Sequence, residues 1–175
     1  MENMPGLIHH TTFYIEDLNP VSLNNAYTTS SSHYKIKSPK TQKWLYRLKM
    51  LLKKDQKKVD EIKAKFDRNN HYLLVNYVWF LPRSKILRQK GGLSERSGDW
   101  SNISKIPDDL IFNTVLGIDD SMICTGRIDK FLSQNDKYCL KLRIQVRMLS
   151  ELRERSEREW HQVWTKDSTE ISRTS

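Results

Sequence analysis

The run His71–Phe80 constrains the fold more than any other segment. It is a continuous series of aromatic and β-branched residues, closed by Leu81-Pro82. Such a run reads as a central strand, and the proline ends it. Tyr72, Tyr77, Trp79 and Phe80 are then core residues rather than platforms for bases. Around this strand the chain needs partners. Thr11–Leu18 alternates weakly and reads as a first strand, and Ser121–Leu132 reads as another. Asp136–Val146 alternates most cleanly: Tyr138, Leu140, Leu142, Ile144 and Val146 face one way, with Lys141, Arg143 and Gln145 opposite.

Helical periodicity fills the intervals. Pro39 marks a helix start. Trp44, Leu48, Leu51, Val59, Ile62 and Phe66 follow as one apolar face of a long helix, or of two helices broken near Asp55. Asn102–Leu116 reads as a short helix with Pro107 in its first turn and Gly117 as its stop. Leu149, Leu152, Trp160 and Val163 make a thin stripe on a final helix whose other face alternates Glu and Arg. Asn19–Tyr27 reads as an irregular loop, Thr28–Ser32 as a polar, mobile stretch, and Arg83–Ser97 as a basic loop. The order of elements predicts an α+β fold, with helices packed on a small mixed sheet.

A chain of 175 residues is one domain by length with an appended arm, and it can bury a core without staples. No run approaches a transmembrane helix, and the start does not resemble a signal peptide. Cys124 and Cys139 are too few for a zinc knuckle or a disulfide framework. They read as core or half-buried thiols, which fits a reducing compartment.

The net charge of +9 is not spread evenly. Residues Lys35–Phe66 hold twelve Lys or Arg against three acids, an excess equal to that of the whole chain. The loop Arg83–Ser97 adds five basic residues against one acid. A solvated lysine face normally carries interspersed Glu, so contact with a nucleic-acid backbone is the better reading of this imbalance. The candidate contacts are Lys35, Lys37, Lys40, Lys43, Arg47, Lys53, Lys54, Lys57, Lys58, Arg83, Lys85, Arg88 and Lys90.

Inside this basic chain six acids lie between Asp99 and Asp129. Carboxylates are the hard oxygen donors that Mg²⁺ prefers. Held near a phosphodiester, such a metal neutralises charge at phosphorus, and a nearby lysine stabilises charge that develops in the transition state. Asp99 precedes the short helix, and Asp119 and Asp120 follow it. A helix of about 20 Å at 1.5 Å per residue separates them, so convergence needs the chain to fold back. Plainer readings stand beside this one. Asp99 or Ser101 is also placed for an N-cap, Asn102 equally so, and Asp119-Asp120 after a glycine is also a turn. Lys105 sits where the helix macrodipole disfavours a cation, which favours a functional role. Asp109 is placed to pair with Lys105, and Lys130 either touches phosphate or is a strand-end charge. The five histidines show no ligand-like spacing.

At these residues the chain resembles the RusA family of Holliday junction resolvases, small dimeric Mg²⁺-dependent endonucleases of bacteria and their phages. Asp99, Asn102, Lys105, Asp109, Asp119-Asp120 and Lys130 fall at the family's spacings without a gap. Pro20-Val21-Ser22-Leu23-Asn24-Asn25-Ala26-Tyr27 is similar to its upstream signature. The resemblance covers roughly Thr11 to Val146. It implies Asp99, Asp120 and Asp119 as metal ligands and catalytic residues. It implies Lys105 at the scissile phosphate, and Ser101, Asn102 and Asp109 as accessory. Mn²⁺ would substitute for Mg²⁺. One departure matters: Ser101 stands where the family element has a second Asp, and a neutral hydroxyl is the weaker ligand.

The resemblance further implies an endonuclease domain over residues 1–147, followed by a C-terminal helix and polar tail at 148–175. It implies a homodimer acting on branched DNA in the cytoplasm of a bacterial or phage-infected cell. The competing functions are a non-catalytic branched-DNA-binding protein weakened at Ser101, and an interaction protein whose last helix recruits a partner.

Overall fold

The structure, a computed structural model, describes residues 6–21, 26–29, 35–88 and 105–171, and in the last span the side chains of residues 107–160. Its centre is a four-stranded sheet of order β1-β6-β4-β5. These strands are β1 (Leu7–Glu16), β4 (His71–Leu81), β5 (Ile123–Leu132) and β6 (Cys139–Met148). β6 pairs antiparallel with both β1 and β4, whereas β5 runs parallel to β4. A parallel pair needs a crossover connection. Here the crossover carries the acidic segment.

The central position expected of His71–Phe80 holds, because β4 has a strand on each side. Its residues Leu73, Val75, Tyr77, Trp79 and Leu81 are buried on one face. Phe13 and Ile15 of β1, with Leu140, Leu142, Ile144 and Val146 of β6, complete that surface. Trp79 is wholly buried, and its indole N–H has no hydrogen-bond partner among the described residues.

Helices α1 (Pro39–Lys54) and α2 (Gln56–Lys65) cover this face. Ser38 caps α1, its hydroxyl accepting from the Thr41 N–H at 3.3 Å, and Pro39 occupies the first turn where no donor is missed. The break near Asp55 is real: Asp55 ends α1 and begins α2. Trp44, Leu48, Leu52, Val59 and Ile62 point into the core. The Trp44 indole donates to the Asn19 carbonyl at 2.6 Å, which pins the connection after β1. Leu48 is fully buried, and its truncation to alanine is expected to cost about 2–5 kcal/mol, read as a lower urea midpoint at unchanged m-value.

Several expectations shift. Tyr27, expected to end an irregular loop, and Thr28 and Thr29, expected in a mobile stretch, form strand β2 (Tyr27–Thr29), paired with β3 (Lys35–Lys37) in a two-stranded ribbon. The basic loop begins with a helical turn, α3 (Arg83–Ile86). The Arg83 N–H donates to Asp136 at 2.8 Å, so the turn is tied to the β5–β6 connection. Cys124 is exposed on the edge strand β5 rather than buried, while Cys139 is half-buried, and both are free thiols. The final helix is α5 (Leu149–Ile171). Its first turn is fastened by Arg147, which grips Glu151 with two nitrogens at 2.8 and 2.6 Å. No helix among the described residues is long and apolar enough to cross a membrane.

Candidate active site

The crossover ends in α4 (Lys105–Asp108), which continues without a break as a π-helical segment, Asp109–Leu116. π-Helical turns are uncommon and concentrate at functional sites. This one is anchored from below by Ile111, Phe112 and Leu116, all buried against the core and beside α1 and α2. The Phe112 carbonyl accepts from both Gly117 and Ile118 N–H groups, the latter at 3.0 Å. Gly117 adopts φ 67°, a left-handed conformation that glycine takes without cost.

That reversal resolves the separation problem. Instead of leaving the helix end, residues 118–120 turn back along it. The Asp120 N–H donates to the Asn113 side-chain oxygen at 3.3 Å. Asn113 lies one turn from Asp109, so Asp120 comes to rest beside the body of the segment. Its carboxylate is close enough to Asp108 to raise that residue's pKa, as is Asp109.

Motif spacing does not single out Asp108, yet it is the most perturbed carboxyl here. Burial pushes its pKa from the ordinary 3.8 to about 6; the Tyr77 hydroxyl, which donates to it, opposes the rise, and Asp120 and Asp109 add to it. Tyr77 is itself raised well above its usual value, chiefly by burial. A signal for Asp108 does exist in the sequence. It precedes Ile111 and Phe112 by three and four residues, so it sits on the buried face of the helix. Nothing comparable marks Tyr77, which looks like one more aromatic of a core strand. Asn113 carries no signal at all, because its partner is a backbone N–H brought back by the turn.

The sign of the Asp108 shift gives a testable consequence. The folded state holds this proton more tightly than the unfolded chain, so stability falls as pH rises from about 4 to about 6. A shift of this size is worth on the order of 3 kcal/mol. Asp108→Asn is expected to remove that slope. Urea midpoints of both proteins across pH 4–7 should therefore diverge at the acid end and run parallel above about pH 6.5.

The other candidates fall out as follows. Asp119 takes the turn role: it caps the 3₁₀ turn Asp120–Met122 by accepting from the Ser121 N–H at 2.9 Å, and its pKa is lowered by those Ser121 hydrogen bonds. Lys105 is the first residue of α4, two residues before Pro107. Asp99, Ser101, Asn102 and Lys90 lie outside the described residues.

Among the basic candidates, Lys40, Lys43, Arg47, Lys53, Lys54 and Lys57 are exposed on α1 and α2, and Arg83 and Arg88 are exposed around α3. Lys35 and Lys37 lie on the ribbon rather than on the helix, and Lys85 is half-buried. Lys58 is half-buried and engaged, bonding Asp55 at 2.9 Å with its ammonium 5.6 Å from the Phe13 ring. Lys130 stands opposite Trp79 within β5, not at a strand end.

Does this donor set fit a divalent cation? Among the described residues no three His, Cys, Asp or Glu are already arranged as a ligand set. The chemistry nevertheless fits: Asp108, Asp109 and Asp120 are hard oxygen donors, and the Asp108 pKa, raised chiefly by burial, is raised further by repulsion from Asp120 and Asp109. A cation relieves that repulsion.

An acidic helical segment packs beside two lysine-rich helices on one side of a small mixed sheet. Residues 17–147 match the family of endodeoxyribonuclease RusA, a span well over half of the chain. The chain belongs to the RusA endodeoxyribonuclease family. No curated protein matches it.

Proposed function

We propose that this protein is a Mg²⁺-dependent, structure-selective endonuclease that resolves Holliday junctions or related branched DNA, acting as a homodimer in the cytoplasm of a bacterial or phage-infected cell. The observation that carries this reading is the fold-back at Gly117, which brings Asp120 alongside Asp108 and Asp109 within the family-matched span. Residues 1–147 would form the endonuclease domain and 148–175 an appended helix and tail.

In this reading Asp120 and Asp99 would hold the divalent cation, with Asp119 as a further ligand. When bound, the cation would supply charge neutralisation at phosphorus and a more acidic water. Lys105 stabilises charge on the phosphate oxygens as the bond to the leaving oxygen breaks. Asn113 fixes the Asp120 backbone, and the Tyr77–Asp108 bond holds the first turn of the helix against the sheet. Asn102 and Asp109 orient the set. Asp109 and Asp108 add carboxylates to a set in which Ser101 leaves one missing. The exposed cations of α1 and α2 and the residues around α3 take the phosphate backbone, positioning DNA by charge and shape rather than by base readout.

The test is a labelled four-way junction titrated with Mg²⁺ or Mn²⁺. Symmetric incision that rises with metal and vanishes with chelator is expected. Tight junction binding with no incision, unrescued by Ser101→Asp, would leave a non-catalytic binding protein of the same fold.

A further inference from the structure

Residues 35–54 hold eight Lys or Arg and not one Asp or Glu. They make up β3 and the whole of α1. In their midst stands Tyr46, at 67 % exposure the most exposed large hydrophobic side chain among the described residues. Helix geometry gives its direction. Tyr46 lies two residues, or about 200° around the axis, from each of buried Trp44 and Leu48, so it occupies the crest of α1 opposite the core. Met50, also exposed, follows one turn later on the same crest. Lys43 and Lys53 lie on the crest before and after this pair, and Arg47 and Lys54 border it. All four cations are exposed, and among the described residues no carboxylate pairs with any of them. One turn before Tyr46 the Gln42 side chain donates to the Lys37 carbonyl at 2.8 Å, which ties the ribbon, with Lys35, Lys37 and exposed Ile36, to the first turn of the helix.

Unopposed cations attract the phosphate backbone of any DNA. The aromatic crest adds something that a duplex has no use for. Paired bases are stacked on both faces inside the double helix, so a ring on an outer helix meets only sugar and phosphate there. An unpaired base exposes its π face, and cations that track the backbone beside a ring on which a base stacks are the arrangement that holds single strands. We propose that the crest of α1 is a stacking site for an unpaired nucleotide, with Tyr46 under the base, Met50 extending the platform, and Lys43 and Lys53 on the flanking phosphates. The proposal rests on the branched-DNA reading given above and narrows its substrate class to branched DNA that carries a single-stranded segment at the branch.

Two further observations favour this occupant. Tyr14 and Trp160 are nearly as exposed as Tyr46, but Glu16 stands two residues from Tyr14 on the same strand, and Glu157 and Glu159 precede Trp160. Neither ring offers a phosphate the unopposed positive field that surrounds Tyr46. The second is location: the acidic segment Asp109–Leu116 packs beside α1, so a strand held on α1 is held next to the element that carries the candidate site.

Fluorescence-anisotropy titration of the full chain without metal tests this apart from cleavage. The probes are a fully paired four-way junction and the same junction with one arm left single-stranded, at one salt concentration. The wild type is expected to bind the second at least about fivefold more tightly. Tyr46→Ala should abolish that preference, weakening the single-stranded-arm complex about five- to hundredfold and changing affinity for the paired junction less than twofold. Tyr46→Trp should keep the preference, and Tyr46→Leu, apolar but without a π face, should lose it. The site is exposed, so folding is not at stake in these variants. 5-Iodouracil in the single-stranded arm should photocrosslink to the peptide that carries Tyr46. Equal wild-type affinity for the two junctions overturns the proposal, and so does a preference that survives Tyr46→Ala. Either result with tight junction binding leaves the branched-DNA reading standing, whereas failure to bind both junctions counts against that reading as well.

Discussion

Asp120→Asn is expected to reduce junction cleavage by at least about a hundredfold while leaving junction affinity within about twofold. Substitutions that only support metal ligands already cost about 10–100-fold, so loss of a ligand carboxylate belongs at or beyond that range. The folding cost should be small. The Asp120 side chain is exposed, and the hydrogen bond that positions this residue runs from its backbone N–H to Asn113, which the substitution retains. Removing one of several mutually repelling carboxylates also relieves Asp108. Gel-shift titration in Ca²⁺ or without metal, beside a single-turnover cleavage assay in Mg²⁺, separates the two effects. Equal loss of binding and cleavage would make Asp120 a structural residue.

Neutralising the outer stripe of α1 is expected to have the larger effect on binding. Lys40, Lys43, Arg47 and Lys54 recur at steps of three, four and seven, with exposed Met50 between the last two, in an exposed stripe that borders the buried face of Trp44, Leu48 and Leu52. Replacing these four with glutamine should weaken junction binding by on the order of a hundredfold at low salt. It should also flatten the slope of log affinity against log salt by about one unit for each phosphate that is no longer neutralised. Thermal stability should hold, since exposed substitutions of this kind usually change it by no more than about 0.5 kcal/mol. An unchanged salt slope would show that the DNA path does not cross α1.

Much of this molecule is legible from its residues because much of it follows from local chemistry. The apolar run of β4, the alternation of β6 and the break at Asp55 each depend on neighbours a few residues away. So does the stop at Gly117, where one left-handed residue ends the helix. The site is only partly legible. Its acids can be named from spacing, but not the way they meet. That depends on a π-helical turn and a chain reversal, which no periodicity announces. Asp108 shows the same limit. It is close in sequence to Asp109, yet its environment is set by Tyr77, thirty-one residues earlier and on a different element. Lys58 errs in the opposite direction, because a lysine in a basic run can be claimed by a nearby carboxylate and an aromatic ring.

The claim on which the rest depends is that Asp99 and Asp120 meet at one divalent cation. A crystal of the protein soaked in Mn²⁺ tests it most directly, through the anomalous signal of the ion. An Mn²⁺ peak with oxygens of Asp120 and Asp99 at roughly 2.0–2.3 Å, near Asp108 and Asp109, is the predicted result. A peak elsewhere with neither carboxylate attached, or full Mn²⁺-dependent cleavage by a protein whose bound ion touches neither, would contradict it.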